Sequence, residues 1–264
     1  MSIIEAIKNG FLKTSKLLNV VGVFFVFNVV VGLISLPLTN PANAGNPGVV
    51  AVSIISSILF FLIFIFLQGG ALGLVRDQIK TATASMSKFV DYGKQFYLRI
   101  LGILVIYILI AIAVVLLLSL ITSGILLLGD NVVTRTIVAA LVTVVAISII
   151  TLLIYPIYSI VADDIGAIAA LKKGVNVAKS NFLITLGLFI AMLIVSLVIS
   201  LVVGFLIGLV TVPLPLAVSQ VIITIINAAV QSYIPIVMMV AFMSFYMALS
   251  MGKSSAGAGT QPMV

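Results

Sequence analysis

Apolar residues run through this chain in six stretches: Leu17–Leu38, Val49–Val75, Leu98–Leu128, Thr136–Ala162, Phe182–Val212 and Ala217–Ser250. Crossing a hydrocarbon core of about 30 Å takes roughly 20 helical residues, so each is long enough to span a membrane. The connectors alternate in kind. Thr39–Gly48, the turn around Gly129-Asp130-Asn131 and the Pro213-Leu214-Pro215 corner are short and built of turn-formers. The others are longer and patterned. Ile79, Ala82, Met86, Phe89, Val90, Gly93 and Phe96 recur at helical spacing, with Lys80, Lys88, Asp91 and Lys94 falling elsewhere. Ile168, Leu171, Val175, Ala178 and Phe182 form a second such stripe, and Ile4, Ile7, Phe11 and Leu18 a third. The pattern predicts an all-α, polytopic membrane protein of six transmembrane helices in three hairpins. Each hairpin is preceded by an interfacial amphipathic helix on the cytoplasmic side. Residues 1–253 read as one membrane domain of repeat-like units near 1–76, 77–162 and 163–253, and 254–264 as a disordered tail. Ala6-Ile7-Lys8-Asn9-Gly10 resembles Ala170-Leu171-Lys172-Lys173-Gly174, but apolar matches arise easily by chance, so descent from a repeat stays open.

Charge sets the orientation. Twelve of the thirteen Lys and Arg residues lie before span 1, between spans 2 and 3, between spans 4 and 5, or after span 6; Arg135 alone lies on the other side. Cytoplasmic loops carry the cation excess, so both termini are expected in the cytoplasm, with the chain in the plasma or inner membrane. A cleavable signal peptide ending at Ala42-Asn43-Ala44 is disfavoured, because the apolar run of span 1 exceeds the 7–15 residues of an ordinary signal core. The cations offer a surface to anionic lipid headgroups. No aromatic residues interleave with them as a single-strand groove requires, so nucleic acid is not an expected partner. A protein partner or a homo-oligomer remains open.

Composition then removes most chemistry. With 63% hydrophobic and 7% charged residues the chain cannot clothe a water-facing domain, which carries about 25% charged residues. His 0 and Cys 0 leave no imidazole base, thiol nucleophile or soft metal ligand. The six acids, Glu5, Asp77, Asp91, Asp130, Asp163 and Asp164, all lie outside the middle of a span. Asp163-Asp164 precedes an amphipathic helix, which favours N-terminal capping over a shared cation or an acid–base pair. Arg76-Asp77 reads as an interfacial anchor. Asn28, Gln68, Asn227 and Gln231 are the candidate in-membrane polar positions, as interhelical hydrogen-bonding groups or as the lining of a polar cavity. Pro235 removes the N–H that would bond the Gln231 carbonyl, and Pro156 predicts a kink in span 4. Ser196, Ser200, Gly204 and Gly208 form a small-residue ridge on span 5, repeated by Gly69 and Gly73 in span 2, for contact within the chain or between subunits. Met251-Gly252-Lys253-Ser254-Ser255 is only a fragment of a phosphate loop. No catalytic, cofactor-binding or metal-binding residue is assigned.

The Gln68-Gly69-Gly70-Ala71-Leu72-Gly73 span end with its Arg76-Asp77 exit, the Phe89…Gly93…Phe96 connector and the Ala170-Leu171-Lys172-Lys173-Gly174…Asn181-Phe182 run carry a resemblance. The chain resembles prokaryotic six-helix families that include the membrane domain fused to some glycerophosphodiester phosphodiesterases. The resemblance implies a six-helix fold and membrane anchoring and carries over no catalytic residue. The hydrolase domain of the fused proteins is absent, so phosphodiesterase activity is not expected. The function expected is a non-catalytic membrane scaffold or lipid-associated module. The alternative is the permease subunit of an ATP-binding-cassette exporter, with the Ile79–Phe96 connector as coupling helix. An intramembrane enzyme would need Ser, Lys, Asp or Tyr chemistry, and no such constellation lies in a span.

Overall fold

The computed structural model describes residues 1–38, 45–127, 129 and 131–257. The Ala42-Asn43-Ala44 motif, Leu128, Asp130 and residues 258–264 of the expected tail lie outside the described residues. No strand occurs among the described residues. The helices are α1 (Ile3–Thr14), α2 (Leu18–Leu38), α3 (Pro47–Lys80), α4 (Phe89–Leu126), α5 (Val132–Leu153), α6 (Pro156–Ala162), α7 (Ala167–Ser180), α8 (Phe182–Thr211) and α9 (Leu216–Gly257). Six segments are long and apolar enough to cross a membrane, with α5 and α6 together making one of them. The protein is a multi-pass helical membrane protein. α9 takes in residues 254–257 of the segment expected as tail.

Local chemistry explains the ends. Ser2 and Glu5 close a capping box on α1, Asn131 and Thr134 close another on α5, and Asn46 caps α3 ahead of Pro47. Span 4 breaks at Ile154-Tyr155, because Pro156 has no N–H to offer and restarts the helix as α6. Two of the three expected interfacial helices, α1 and α7, are separate elements. In the second unit a 3₁₀ turn at Met86–Lys88 runs straight into α4, so the stripe is divided: Ile79 lies in the last turn of α3, and Phe89, Val90, Gly93 and Phe96 are the start of the spanning helix itself. No proline interrupts Phe89–Arg99, and the single glycine, Gly93, leaves the backbone hydrogen bonds intact, so the helix propagates.

Packing is concentrated at the end of the molecule that carries the cations, called here the basic end. α9 is its axis. Two thirds (67%) of the most apolar stretch of α9 is buried, against 6–11% in the other five spans. α1 and α2 lie against α9, α3 pairs with α4, and α6 pairs with α7. The principal contacts therefore cross the boundaries of the repeat-like units: α3 of the first meets α4 of the second, and α1 and α2 of the first meet α9 of the third.

Small residues make the close approaches possible. A methyl added to Gly73 would sit 2.3 Å from the Tyr92 ring, one on Gly70 2.7 Å from the Phe89 carbonyl oxygen, and one on Gly93 2.7 Å from the Phe66 ring. The Gly69/Gly73 step thus serves a contact inside the chain. Gly174 lets α7 lie on the kink, since a methyl there would fall 2.4 Å from the Pro156 nitrogen. The α8 ridge differs, for nothing lies within 4 Å of a methyl built on Gly204 or Gly208. Gly174→Ala is expected to lower stability by about 1–3 kcal/mol through overpacking against rigid backbone. Gly204→Ala should change it by no more than about 0.5 kcal/mol. Thermal unfolding of the two variants in the same detergent checks the contrast.

Candidate functional site

The polar residues of the basic end converge on the turn between α6 and α7. Arg76 and Asp77, at the last turn of α3, are mostly buried, with side-chain exposures of 16% and 18%. Asp77 accepts hydrogen bonds from Arg76 and from the Tyr92 hydroxyl. The guanidinium lies over the Tyr92 ring, 5.1 Å from its centroid, and over Phe96 at 5.7 Å. Its Nη1 also donates to the Val161 carbonyl at 3.1 Å, and Lys80 Nζ donates to the Ala162 carbonyl at 3.1 Å. These are carbonyls at the C-terminal end of α6, where unpaired C=O groups and the negative end of the helix dipole favour cations.

Asp163 accepts a hydrogen bond from the Tyr246 hydroxyl of α9 and pairs with Lys173 of α7 at 2.9 Å. Asp164 pairs with Arg99 of α4 and accepts from Gln95. The capping expected of this acidic pair is therefore corrected. Gly166 is the N-cap of α7 and has no side-chain cap, while the two carboxylates reach cations and hydroxyls on other helices. A charged partner outcompetes free backbone N–H groups for a carboxylate, because hydrogen bonds between ionised groups are roughly twice as strong as neutral ones. Asp164 takes φ +55°, a left-handed conformation that Asp tolerates better than most residues and that turns the two carboxylates toward different helices. The Arg76-Asp77 pair, expected as an anchor at the membrane interface, is tied to α4 and α6 within the protein.

The four candidate in-membrane polar positions are not brought together as one site. Asn28 on α2 and Gln68 on α3 are half-buried, whereas Asn227 and Gln231 lie on the exposed side of α9. None of the four lines the cavities described at the basic end. Sequence reasoning passed over the tyrosines that hold the network, Tyr92 and Tyr246. Their distribution carried the signal: all seven tyrosines lie near the basic end or mid-span, none near the opposite end.

A cavity of about 340 Å³ lies beside this network, lined by Thr81, Thr83, Ser85, Lys88, Tyr92 and the ion-paired Asp77. Its hydroxyls largely satisfy one another, Thr81 with Thr83 at 3.0 Å and Ser85 with Ser87 at 2.8 Å. Among the described residues no group of three or more acidic, His or Cys side chains is placed to hold a metal ion.

A family model described as a domain of unknown function, DUF7847, matches residues 1–249. The chain belongs to the DUF7847 family. No curated protein and no solved structure matches it. The match takes in every residue of the network, from Arg76 to Tyr246.

Removing the two carboxylates should have unequal effects. Asp163→Ala leaves the Tyr246 hydroxyl buried without its acceptor and is expected to cost about 2 kcal/mol. Asp164 is more than half exposed, and Asp164→Ala should cost about 1 kcal/mol or less. The hydrogen bond from Arg99 holds the Asp164 carboxyl below its ordinary value of 3.8. The contribution of this pair is therefore complete above that value and fades as pH falls through the lower folded-state value. Melting curves in detergent from pH 7 downward should show the difference between wild type and Asp164→Asn shrinking only at the acid end.

Proposed function

We propose that this DUF7847 protein is a non-catalytic, lipid-associated membrane module of the cell membrane, with both termini in the cytoplasm. One observation carries the reading: the helices are bound to one another at the basic end and left open toward the other. Val115, Leu116 and Leu117 of α4 are 61%, 61% and 60% exposed. Successive helical residues point about 100° apart, so these three present more than half of the helix circumference to its surroundings. Leu201, Val202, Phe205 and Leu206 of α8 present a continuous exposed apolar face of about 140°. Such surfaces are at home only among acyl chains, which makes lipid the natural filling between the outer halves. At the basic end every carboxylate of the network is already held by a cation or a tyrosine. That leaves the network suited to holding helices rather than to turning over a substrate.

The orientation follows from the cation distribution. Because the chain has no Cys, single cysteines can report it. Cysteine at Ser87 or Ser180 should react with an impermeant maleimide only after the cells are opened, and cysteine at Val132 in intact cells. The reverse pattern would overturn the orientation. For the function, the purified chain in liposomes should show no saturable solute flux and should carry phospholipid through purification. Saturable flux, or an ATPase that copurifies and is stimulated by the chain, would replace this reading with the exporter permease.

A further inference from the structure

Two adjoining cavities form a groove where α4, α5 and α7 meet. The deeper, of about 380 Å³, lies against Tyr107, Ala111, Ile150 and Ile154; the shallower, of about 420 Å³, reaches Leu171, Lys172, Asn176 and Lys179. Ile110 and Leu153 line both, so the two adjoin along these side chains as an apolar groove with a polar mouth. Each is of a size that ordinary ligand sites have.

The sequence explains why the groove exists. Pro156 ends α5 at Leu153 and lets α7 fold back onto the kink, where Gly174 meets the proline. The break frees the Leu153 carbonyl, and the Tyr107 hydroxyl donates to it at 2.7 Å. The Leu153 carbonyl beside the channel is thus satisfied, and the wall stays apolar. α7 then divides its lysines. Lys173 turns to Asp163. Lys172 and Lys179 are seven residues apart and so share the other face, about 10 Å apart along the axis, with Asn176 between them. Neither has an ion-pair partner among the described residues.

We propose that this groove binds an anionic phospholipid, with the headgroup phosphate on Lys172, Asn176 and Lys179 and an acyl chain laid along Leu171, Ile110 and Leu153 toward Tyr107 and Ile150. Charge and depth both select this occupant. Two unpaired ammonium groups at the mouth attract an anion, and the apolar channel below them leads from the headgroup level of the basic end into the span. The site deepens the lipid-associated reading and rests on it. Bulk attraction of the basic end for anionic membranes would spread over all twelve cations, whereas the groove assigns retention to two of them.

The test titrates detergent-purified full-length protein with phosphatidylglycerol or phosphatidylcholine and counts bound lipids by native mass spectrometry. Wild type should retain phosphatidylglycerol in preference to phosphatidylcholine. The double variant Lys172→Gln/Lys179→Gln should bind phosphatidylglycerol about thirtyfold more weakly, near what two headgroup-level lysines contribute, with phosphatidylcholine unchanged. Ala111→Trp, which fills the channel and leaves both lysines in place, should weaken both lipids. Lys88→Gln/Lys94→Gln removes the same charge elsewhere at the basic end and should match wild type. An unchanged melting midpoint for each variant shows that the fold is kept. Wild-type retention in both groove variants, or equal loss in the Lys88/Lys94 control, would overturn the site while leaving the lipid-associated reading intact. Absence of any lipid adduct on wild type, together with saturable flux in liposomes, would overturn both.

Discussion

The pairing of buried and half-buried charge at the basic end is the constraint on which the rest of the structure depends. A charge taken from water into a low-dielectric setting must find a partner or neutralise. Here the partners of Asp77, Asp163 and Asp164 come from α3, α4, α7 and α9, and the cations of α3 also hold the end of α6. A turn of two adjacent carboxylates is thereby made a junction of four helices. Such pairs add little net stability by themselves, since desolvation offsets much of the attraction. Their effect is on specificity: a helix that slid by one turn would leave a charge unpaired.

Close backbone contact does the complementary work. Between α3 and α4 the glycines at 69, 70, 73 and 93 let helices approach until side chains of one press on the backbone of the other. Hydrophobic driving force is weak between helices already in lipid, so tight van der Waals packing supplies the association. Both means, charge pairing and glycine contacts, are concentrated at the same end. In the outer halves Gly32 of α2 still meets Thr224 of α9, but Gly204 and Gly208 face open space, and Asn227 and Gln231 lie on an exposed face. The result is a bundle closed at one end and open to lipid at the other, with α9 as the shared post.

The kink at Pro156 links this architecture to a binding surface. Without the break, α5 would run on and α7 would have no proline face to rest on. With it, α7 lies across the base of α4 and α5, turns Lys173 into the network and leaves Lys172 and Lys179 at a groove mouth. Adjacent lysines on one helix thus take different positions, Lys173 tying helices together and Lys172 lining the groove. The Tyr107 hydroxyl repairs the kink by donating a hydrogen bond to the Leu153 carbonyl.

Much of this was legible in the residues alone. The number and position of the spans, the basic end and the Pro156 break all follow from hydropathy, cation counts and a missing N–H, which are properties of a short stretch of chain read in order. The second amphipathic stripe was also visible, but not its fusion to span 3, because a stripe of that period suits a separate helix and the start of a longer one equally well. What the stripe could not say either was which residues answer Asp163 and Asp164. Their neighbours in sequence made a helix cap the natural reading, while Arg99 stands 65 positions from Asp164 and Tyr246 stands 83 from Asp163. Insertion into a bilayer is decided segment by segment, so the sequence by itself determined a six-span membrane protein with one charged end. Pairing is decided by which helices come together in space, so only the tertiary structure decided the network, the packing across units and the groove.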